Sequence, residues 1–302
     1  MDTSLYSPCE LCPRRCKADR TNGKTGFCGM PAEVIVNKSM IHTGEEPVLG
    51  GKGGCGAVFF EGCSLRCIFC QNHRITSLTG KGRSYDEESL AKLFHELASE
   101  GAGAIDLVTP MHYAPTVAKA IKRAKETGLK LPVICNCSGY ESVSTLKLFD
   151  GLVDIYLPDL KYYSSKVSAK YANAPDYFTT ACMALDEMFR QVGRFEIDGS
   201  TGMMQKGMIV RHMMLPGNLF DSKHIIDYLV SRFGDDIYIS LMSQYTPMPH
   251  ILENEKSPEE LRRPLSKDNY EKLCGYLADL GQTNAFIQEM SSSGSLMIPD
   301  FN

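Results

Sequence analysis

The chain has 302 residues, 43% of them hydrophobic, and a formal net charge of -4. That length can bury roughly three quarters of the unfolded surface in one large domain, and the acidic balance offers no basic field to attract nucleic acid. No run approaches the roughly 18 apolar residues of a membrane span. Met1 to Pro8 lack the basic region and apolar stretch of a secretory signal. The expectation is a cytoplasmic protein with no nucleic-acid or membrane partner. Its 12 cysteines then read as thiols and metal ligands, not disulfides.

The first candidate site lies at the N-terminus. Cys9-Glu10-Leu11-Cys12-Pro13-Arg14-Arg15-Cys16, followed by Gly26-Phe27-Cys28-Gly29, gives the spacing C-x₂-C-x₃-C-x₁₁-C. Four thiolates so close together can close a tetrahedral zinc site or hold an iron-sulfur cluster. Either would fold a Gly-containing segment too small for a core of its own, and the spacing leaves both open. Two glycine motifs nearby carry no nucleotide site. Gly23-Lys24-Thr25 lacks the leading glycine of a phosphate loop, its position being Ala18, and Gly51 to Gly56 matches G-x-G-x-x-G but precedes a strand instead of opening a helix. Cys55, inside that run, could approach the cysteines that follow or simply fit a tight loop.

Ala57 to Glu61 reads as a first strand and leads into Gly62-Cys63-Ser64-Leu65-Arg66-Cys67-Ile68-Phe69-Cys70-Gln71-Asn72. Three cysteines at this fixed spacing would arise by chance roughly 0.02 times in a chain of this composition. Cys63, Cys67 and Cys70 offer three thiolates with no obvious fourth. A [4Fe-4S] cluster has four irons and usually four thiolates, so three leave one iron open, and an open position separates a reactive metal centre from a closed structural one. The alternative is three quarters of a zinc site completed from elsewhere.

Beyond this run, short apolar strands alternate with amphipathic helices. Ser84-Tyr85-Asp86-Glu87 reads as a capping box for a helix ending near Ser99, before Gly101. Strand two is Ala104 to Thr109, with a helix from about Pro115 to Thr127; strand three is Leu131 to Asn136, with a helix near Glu141 to Phe149. Strand four is Val153 to Leu157, and helical segments follow to about Gln191. Strand five is Gly207 to Met213, then a helix from Ser222 to Phe233; strand six is Ile237 to Met242, then a helix from Lys267 to Leu280. Continuous apolar strands each followed by a helix require a parallel sheet covered on both faces. The fold class is α/β, and six such units, two short of a complete eight-stranded barrel, are compatible with a partial (β/α)₆ TIM-type barrel carrying a cysteine-rich metal-binding extension. Residues 1–50 form the extension, 51–285 the barrel and 286–302 a C-terminal tail. In the tail, Ser291 to Ser295 are flexible by composition and Leu296 to Pro299 are apolar. Cys135 and Cys137 point to one face of their strand, while Cys182 and Cys274 read as small core residues in helices.

Active residues in such barrels collect where strands end and βα loops begin. There the chain places His112, Asn136 and Ser138, Asp159 and Lys161, Arg211, and Gln244-Tyr245. Taken singly, each has an ordinary reading: Asn136 and Ser138 as turn formers, Asp159 with Lys161 as an ion pair, His112 as a satisfied loop histidine.

The Cys63 to Cys70 run, with Phe69 just before its third cysteine, resembles the signature of the radical S-adenosylmethionine (SAM) superfamily. The stretch from Cys9 to about Tyr245 is most similar to its glycyl-radical-enzyme activating branch, the pyruvate formate-lyase activating enzyme-like group. The similarity is carried by Cys70-Gln71-Asn72, Asn136 to Tyr140, Asp159-Leu160-Lys161, and Val210-Arg211-His212 ahead of Leu215-Pro216-Gly217. The resemblance implies a [4Fe-4S] cluster on Cys63, Cys67 and Cys70, with SAM chelating the open iron. Reduced by one electron from a partner such as flavodoxin or ferredoxin, the cluster cleaves SAM to a 5′-deoxyadenosyl radical that abstracts hydrogen. It further implies Phe69 along the adenine, Asn136 and Ser138 at the ribose, and Asp159, Lys161 and Arg211 at the methionine portion; a guanidinium is well matched to a carboxylate. Where activating enzymes usually carry Gly-Gly-Glu after strand two, this chain has Thr109-Pro110-Met111-His112, with His112 as a further cofactor contact and backbone carbonyls available for the SAM amino group. The activity implied is hydrogen abstraction from a protein or peptide, such as a glycyl radical enzyme. The alternatives are radical modification of a small molecule or ribosomal peptide, with Tyr113, Tyr140, Tyr245 and the Asp198-Gly199 turn shaping the pocket, or a non-catalytic iron-sulfur carrier.

Overall fold

The computed structural model describes residues 4–76 and 82–290. The expected tail features, Ser291 to Ser295 and Leu296 to Pro299, lie outside the described residues. The described residues form ten strands: β1 (Val34–His42), β2 (Cys55–Phe60), β3 (Arg83–Tyr85), β4 (Ala104–Val108), β5 (Val133–Cys137), β6 (Ile155–Pro158), β7 (Glu196–Ile197), β8 (Met204–Met213), β9 (Tyr238–Met242) and β10 (Ala285–Ile287). The helices are α1 (His73–Thr76), α2 (Glu87–Ser99), α3 (Ala114–Glu126), α4 (Val143–Leu146), α5 (Ser165–Ala172), α6 (Tyr177–Val192), α7 (Leu219–Phe233), α8 (Pro249–Leu252) and α9 (Lys267–Asp279).

The sheet order is β10-β9-β8-β6-β5-β4-β2-β1-β3, and every neighbouring pair from β10 to β2 is parallel. β1 runs antiparallel to both β2 and β3, and β7 antiparallel to β8. With β10 at one end of this order and β3 at the other, the barrel is partial, as the strand-helix alternation implied.

Side chains alternate across the sheet, as a strand's two-residue period demands. Ile105 and Leu107 of β4, Val133 and Cys135 of β5, Tyr156 of β6 and Val210 of β8 pack outward under the helices. Cys55, Ala104, Ile134, Ile155, Leu157 and Ile209 point inward, and with Leu49 and Met204 they plug the lower barrel. Cys55 therefore lies in this plug, away from the Cys63 to Cys70 loop. The Gly50 to Gly54 run is a close crossing: a Cβ on Gly53 would sit 2.0 Å from the Gly101 carbonyl oxygen, and one on Gly103 2.2 Å from that of Gly50.

The structure corrects several expectations. A seventh parallel strand, β10, extends the barrel beyond six units and straddles the expected boundary at residues 285 and 286. At three residues it is too short to announce itself by pattern. The capping box belongs to Asp86 and Ser89, whereas Ser84 lies in β3 and bonds Glu33. The helix expected near Glu141 to Phe149 is one α turn, α4, continued by a 3₁₀ turn.

Candidate functional site

A cavity of about 760 Å³ opens where the parallel strands end, toward the upper part of the ~300–1,000 Å³ range of ligand sites. Cys63, Cys67 and Cys70 line it, together with Phe69, Asn136, Ser138, Asp159, Lys161 and Arg211. β2 delivers the three cysteines. Its last residue is followed by Glu61 and Gly62, where φ is +87° and a Cβ would meet the Met30 side chain at 2.3 Å, so both the backbone and the packing require glycine. Arg66 also takes a left-handed backbone, φ 51°, and the Cys70 amide donates to the Cys67 carbonyl at 3.1 Å. The loop is thereby wound so that all three cysteines border one cavity.

Burial pushes the Cys67 thiol up to about 12 and the Cys70 thiol up to about 11, and it raises Cys63 as well. Buried thiols of this kind become thiolates on a metal cation. Donors to sulfur are already in place: the Leu65 amide is 3.4 Å from Cys63 Sγ and the Tyr162 hydroxyl 3.0 Å from Cys67 Sγ. Cys137 also borders the cavity, but its thiol meets that of Cys135 on the outer face of β5, as their shared parity required.

Across from the cysteines, Lys161 Nζ lies 2.6 Å from Asp159 Oδ2. Burial opposes the Lys161 charge, but Asp159 and the Cys67 sulfur outweigh it and hold the ammonium. Arg211, one strand over, is gripped by Glu46 through Nε–Oε1 at 2.7 Å and Nη2–Oε2 at 2.6 Å, and it also bonds Glu45. Asn136 Nδ2 reaches Asp106 at 3.3 Å, and Ser138 Oγ donates to Glu141 at 3.0 Å. Phe69 is only 4% exposed, with Tyr162, Tyr171 and Tyr245 edge-on around it. Thr109 lines the cavity with φ 61°, a strained region for a β-branched residue and one that collects at functional sites.

Some expected residues fall elsewhere. His112 does not line the cavity. It is 2% exposed, its Nε2 lies 2.8 Å from the Glu61 carbonyl, and burial, then Arg20, lowers its pKa to about 3. A neutral histidine locked under the barrel wall is not a cofactor contact. Tyr113 and Tyr140 are core residues, Tyr245 backs Phe69, and the Asp198-Gly199 turn precedes β8 and so sits at the opposite end of that strand.

The N-terminal cysteines form a second knot against the same loop. The Cys12 thiol is pushed up to about 12 by burial, with Cys28 and Cys16 near enough to add to the effect, and Cys28 feels Cys9 and Cys16. The Phe27 amide donates to Cys16 Sγ at 3.1 Å, and a Cβ on Gly26 would meet Cys16 Sγ at 2.9 Å. Two arginines seat this knot. Arg20, 2% exposed, donates to the carbonyls of Met30 at 3.0 Å, Pro31 at 2.7 Å and His112 at 2.6 Å. Arg14 donates to Ser64 at 3.0 Å, Leu65 at 3.3 Å and Ala172 at 2.7 Å, and also to Asn173.

Residues 57–194 match the sequence profile of the radical SAM superfamily. The matched part, from β2 to the end of α6, belongs to that superfamily. An uncharacterized protein of Methanocaldococcus jannaschii is 24% identical over 252 residues, covering 81% of this chain and 68% of the relative. Among solved structures, SuiB of Streptococcus suis bound to its precursor peptide SuiA aligns with TM-score 0.48 and 13% identity, over 75% of this chain and 46% of SuiB. Methylornithine synthase (PylB) aligns with TM-score 0.47 and 14% identity, over 79% of this chain and 69% of its own. This chain thus spans less than half of SuiB.

Membership implies a [4Fe-4S] cluster and SAM, and the bound pair supplies a 5′-deoxyadenosyl radical after one-electron reduction. The residues present fit: three half-buried thiols line one cavity, and donors already address two of the sulfurs. Cys63, Cys67 and Cys70 would hold the cluster. No helix among the described residues is long and apolar enough to cross a membrane.

Sequence reasoning passed over Glu45, Glu46, Asp106, Glu141 and Tyr162. Asp106 carried a usable signal, since a charge inside the otherwise apolar run Ala104 to Val108 has to face something polar.

Proposed function

We propose that this radical SAM enzyme abstracts hydrogen from a protein or peptide substrate, in the manner of an activating enzyme, in the cytoplasm with a flavodoxin- or ferredoxin-like electron donor. The observation that carries the reading is the shared cavity. The three thiols line one space with Asn136, Ser138, Asp159, Lys161 and Arg211. In this reading Phe69 and Asn136 with Ser138 orient the nucleoside, while Asp159, Lys161 and Arg211 hold the methionine portion. For the last role, Arg211 would exchange one of its present glutamates for a ligand carboxylate. Cys9, Cys12, Cys16 and Cys28 hold a second metal centre, an iron-sulfur cluster or zinc, that fixes the extension on the barrel. The partial barrel, with β10 at one end of the sheet and β3 at the other, supports entry of a polypeptide loop.

The test is 5′-deoxyadenosine formation from SAM by anaerobically reconstituted, dithionite-reduced protein, with Cys67→Ala as comparison. Product from wild type alone is expected. Equal product from Cys67→Ala refutes the cluster assignment, and a wild type that holds the cluster yet does not bind SAM points to the electron-carrier alternative.

A further inference from the structure

The cavity wall carries more negative charge than its own cations can match. Asp159 and Lys161 close one pair at 2.6 Å. Glu46 and Arg211 close another as a two-bond fork at 2.7 and 2.6 Å. Glu45 is left over: one carboxylate oxygen shares Arg211 Nη2 with Glu46, and the other has His42 Nε2 at 3.6 Å, too long for a hydrogen bond. Lys161 and Arg211 are the only lysine and arginine among the described residues lining the cavity.

A second observation points the same way. Asp106 stands on the inward parity of β4, one step above Ala104, is fully buried, and its Oδ1 has no partner. Its other oxygen meets only Asn136 at 3.3 Å. Burial, and then Glu45, raises the Asp106 carboxyl well above the ordinary range, so Glu45 stands close enough to oppose a second charge there. A carboxylate as enclosed as Glu45, with a side chain 9% exposed, is costly without a cation of its own.

We propose that Glu45 receives a primary ammonium group of the substrate. This inference rests on the reading of the cavity as the reaction site. Phe59, Val108, Met213, Met242 and Phe286 line the same space and supply apolar wall for the carbon chain behind such a group, in the way long cationic side chains lie along apolar surface. The substrate class is therefore an alkylammonium, free or as a lysine-like side chain of a peptide.

The experiment compares equilibrium binding of N-acetyl-lysine amide and N-acetyl-norleucine amide, equal in chain length and different in charge, to the full reconstituted chain. Wild type is expected to prefer the lysine probe at least tenfold, weakening with salt, and Glu45→Gln to lose the preference. Equal binding of the two probes, or a preference that survives Glu45→Gln, overturns the proposal. SAM binding is measured on the same proteins. If Glu45→Gln weakens SAM and leaves the lysine preference intact, Glu45 serves the SAM sulfonium and the proposal fails. If wild type binds the lysine probe selectively but not SAM, it is the SAM reading that fails. Should Glu45→Gln not fold, the wild-type comparison and its salt dependence decide alone.

Discussion

Arg20→Met tests whether the extension is a structural part of the barrel. The Arg20 guanidinium lies between the rings of Tyr6 and Tyr113, 4.9 and 5.5 Å from their centroids, and bonds three buried carbonyls. Hydrogen bonds from a charged donor contribute about 1.5–3 kcal/mol each, so three at the low end sum to about 4.5 kcal/mol. Methionine fills much of the volume and removes a buried charge, which returns about 1–2 kcal/mol. The net loss is about 3 kcal/mol, and at ~2–4 °C per kcal/mol for a large domain the midpoint falls by ~6–12 °C. Thermal unfolding of metal-loaded protein by circular dichroism reads it. A midpoint within about 2 °C of wild type would mean that the extension and barrel do not share a cooperative unit.

Tyr162→Phe removes the hydroxyl at 3.0 Å from Cys67 Sγ. A hydrogen bond of about 1 kcal/mol to the sulfur corresponds to ~40 mV for one electron, so the cluster potential should move about that far negative; an unchanged potential in an EPR-monitored titration contradicts this. Burial raises the Glu141 carboxyl to about 8, so its contribution to stability is complete at pH 4 and is lost as pH rises through 8. Wild type should therefore lose stability, on the order of a few kcal/mol, between pH 5 and 8.5, and Glu141→Gln should flatten that slope; parallel profiles in denaturant titrations would refute it. Arg211→Ala should weaken SAM at least ~10-fold by calorimetry, and unaltered affinity would remove Arg211 from the SAM site.

The barrel was legible because its strands are apolar runs such as Ala104 to Val108 and Val133 to Cys137, each preceding a helix with one buried face. β1, β3 and β7 escaped because antiparallel strands outside the buried parallel core carry mixed sequence, as Val34 to His42 does. The cavity-lining set of Phe69, Asn136, Ser138, Asp159, Lys161 and Arg211 could be located because strand ends mark the rim of a barrel. His112 misled because the same rule places it at a strand end without saying which way its ring turns. Glu45 and Glu46 were invisible to that rule, since they precede the first barrel strand and reach the cavity through a loop.

The Arg14 clamp bears on how such a protein folds. Its guanidinium, rooted between Cys12 and Cys16, holds carbonyls of Ser64 and Leu65, which lie between Cys63 and Cys67, and those of Ala172 and Asn173 at the end of α5. In return, Arg66 of the cysteine loop donates to the Phe27 carbonyl beside Cys28, at 3.2 Å. Each cysteine set thus holds a residue that fixes the backbone of the other. Order in either loop therefore favours the native backbone of the other, so the two cysteine loops should gain and lose structure as one unit.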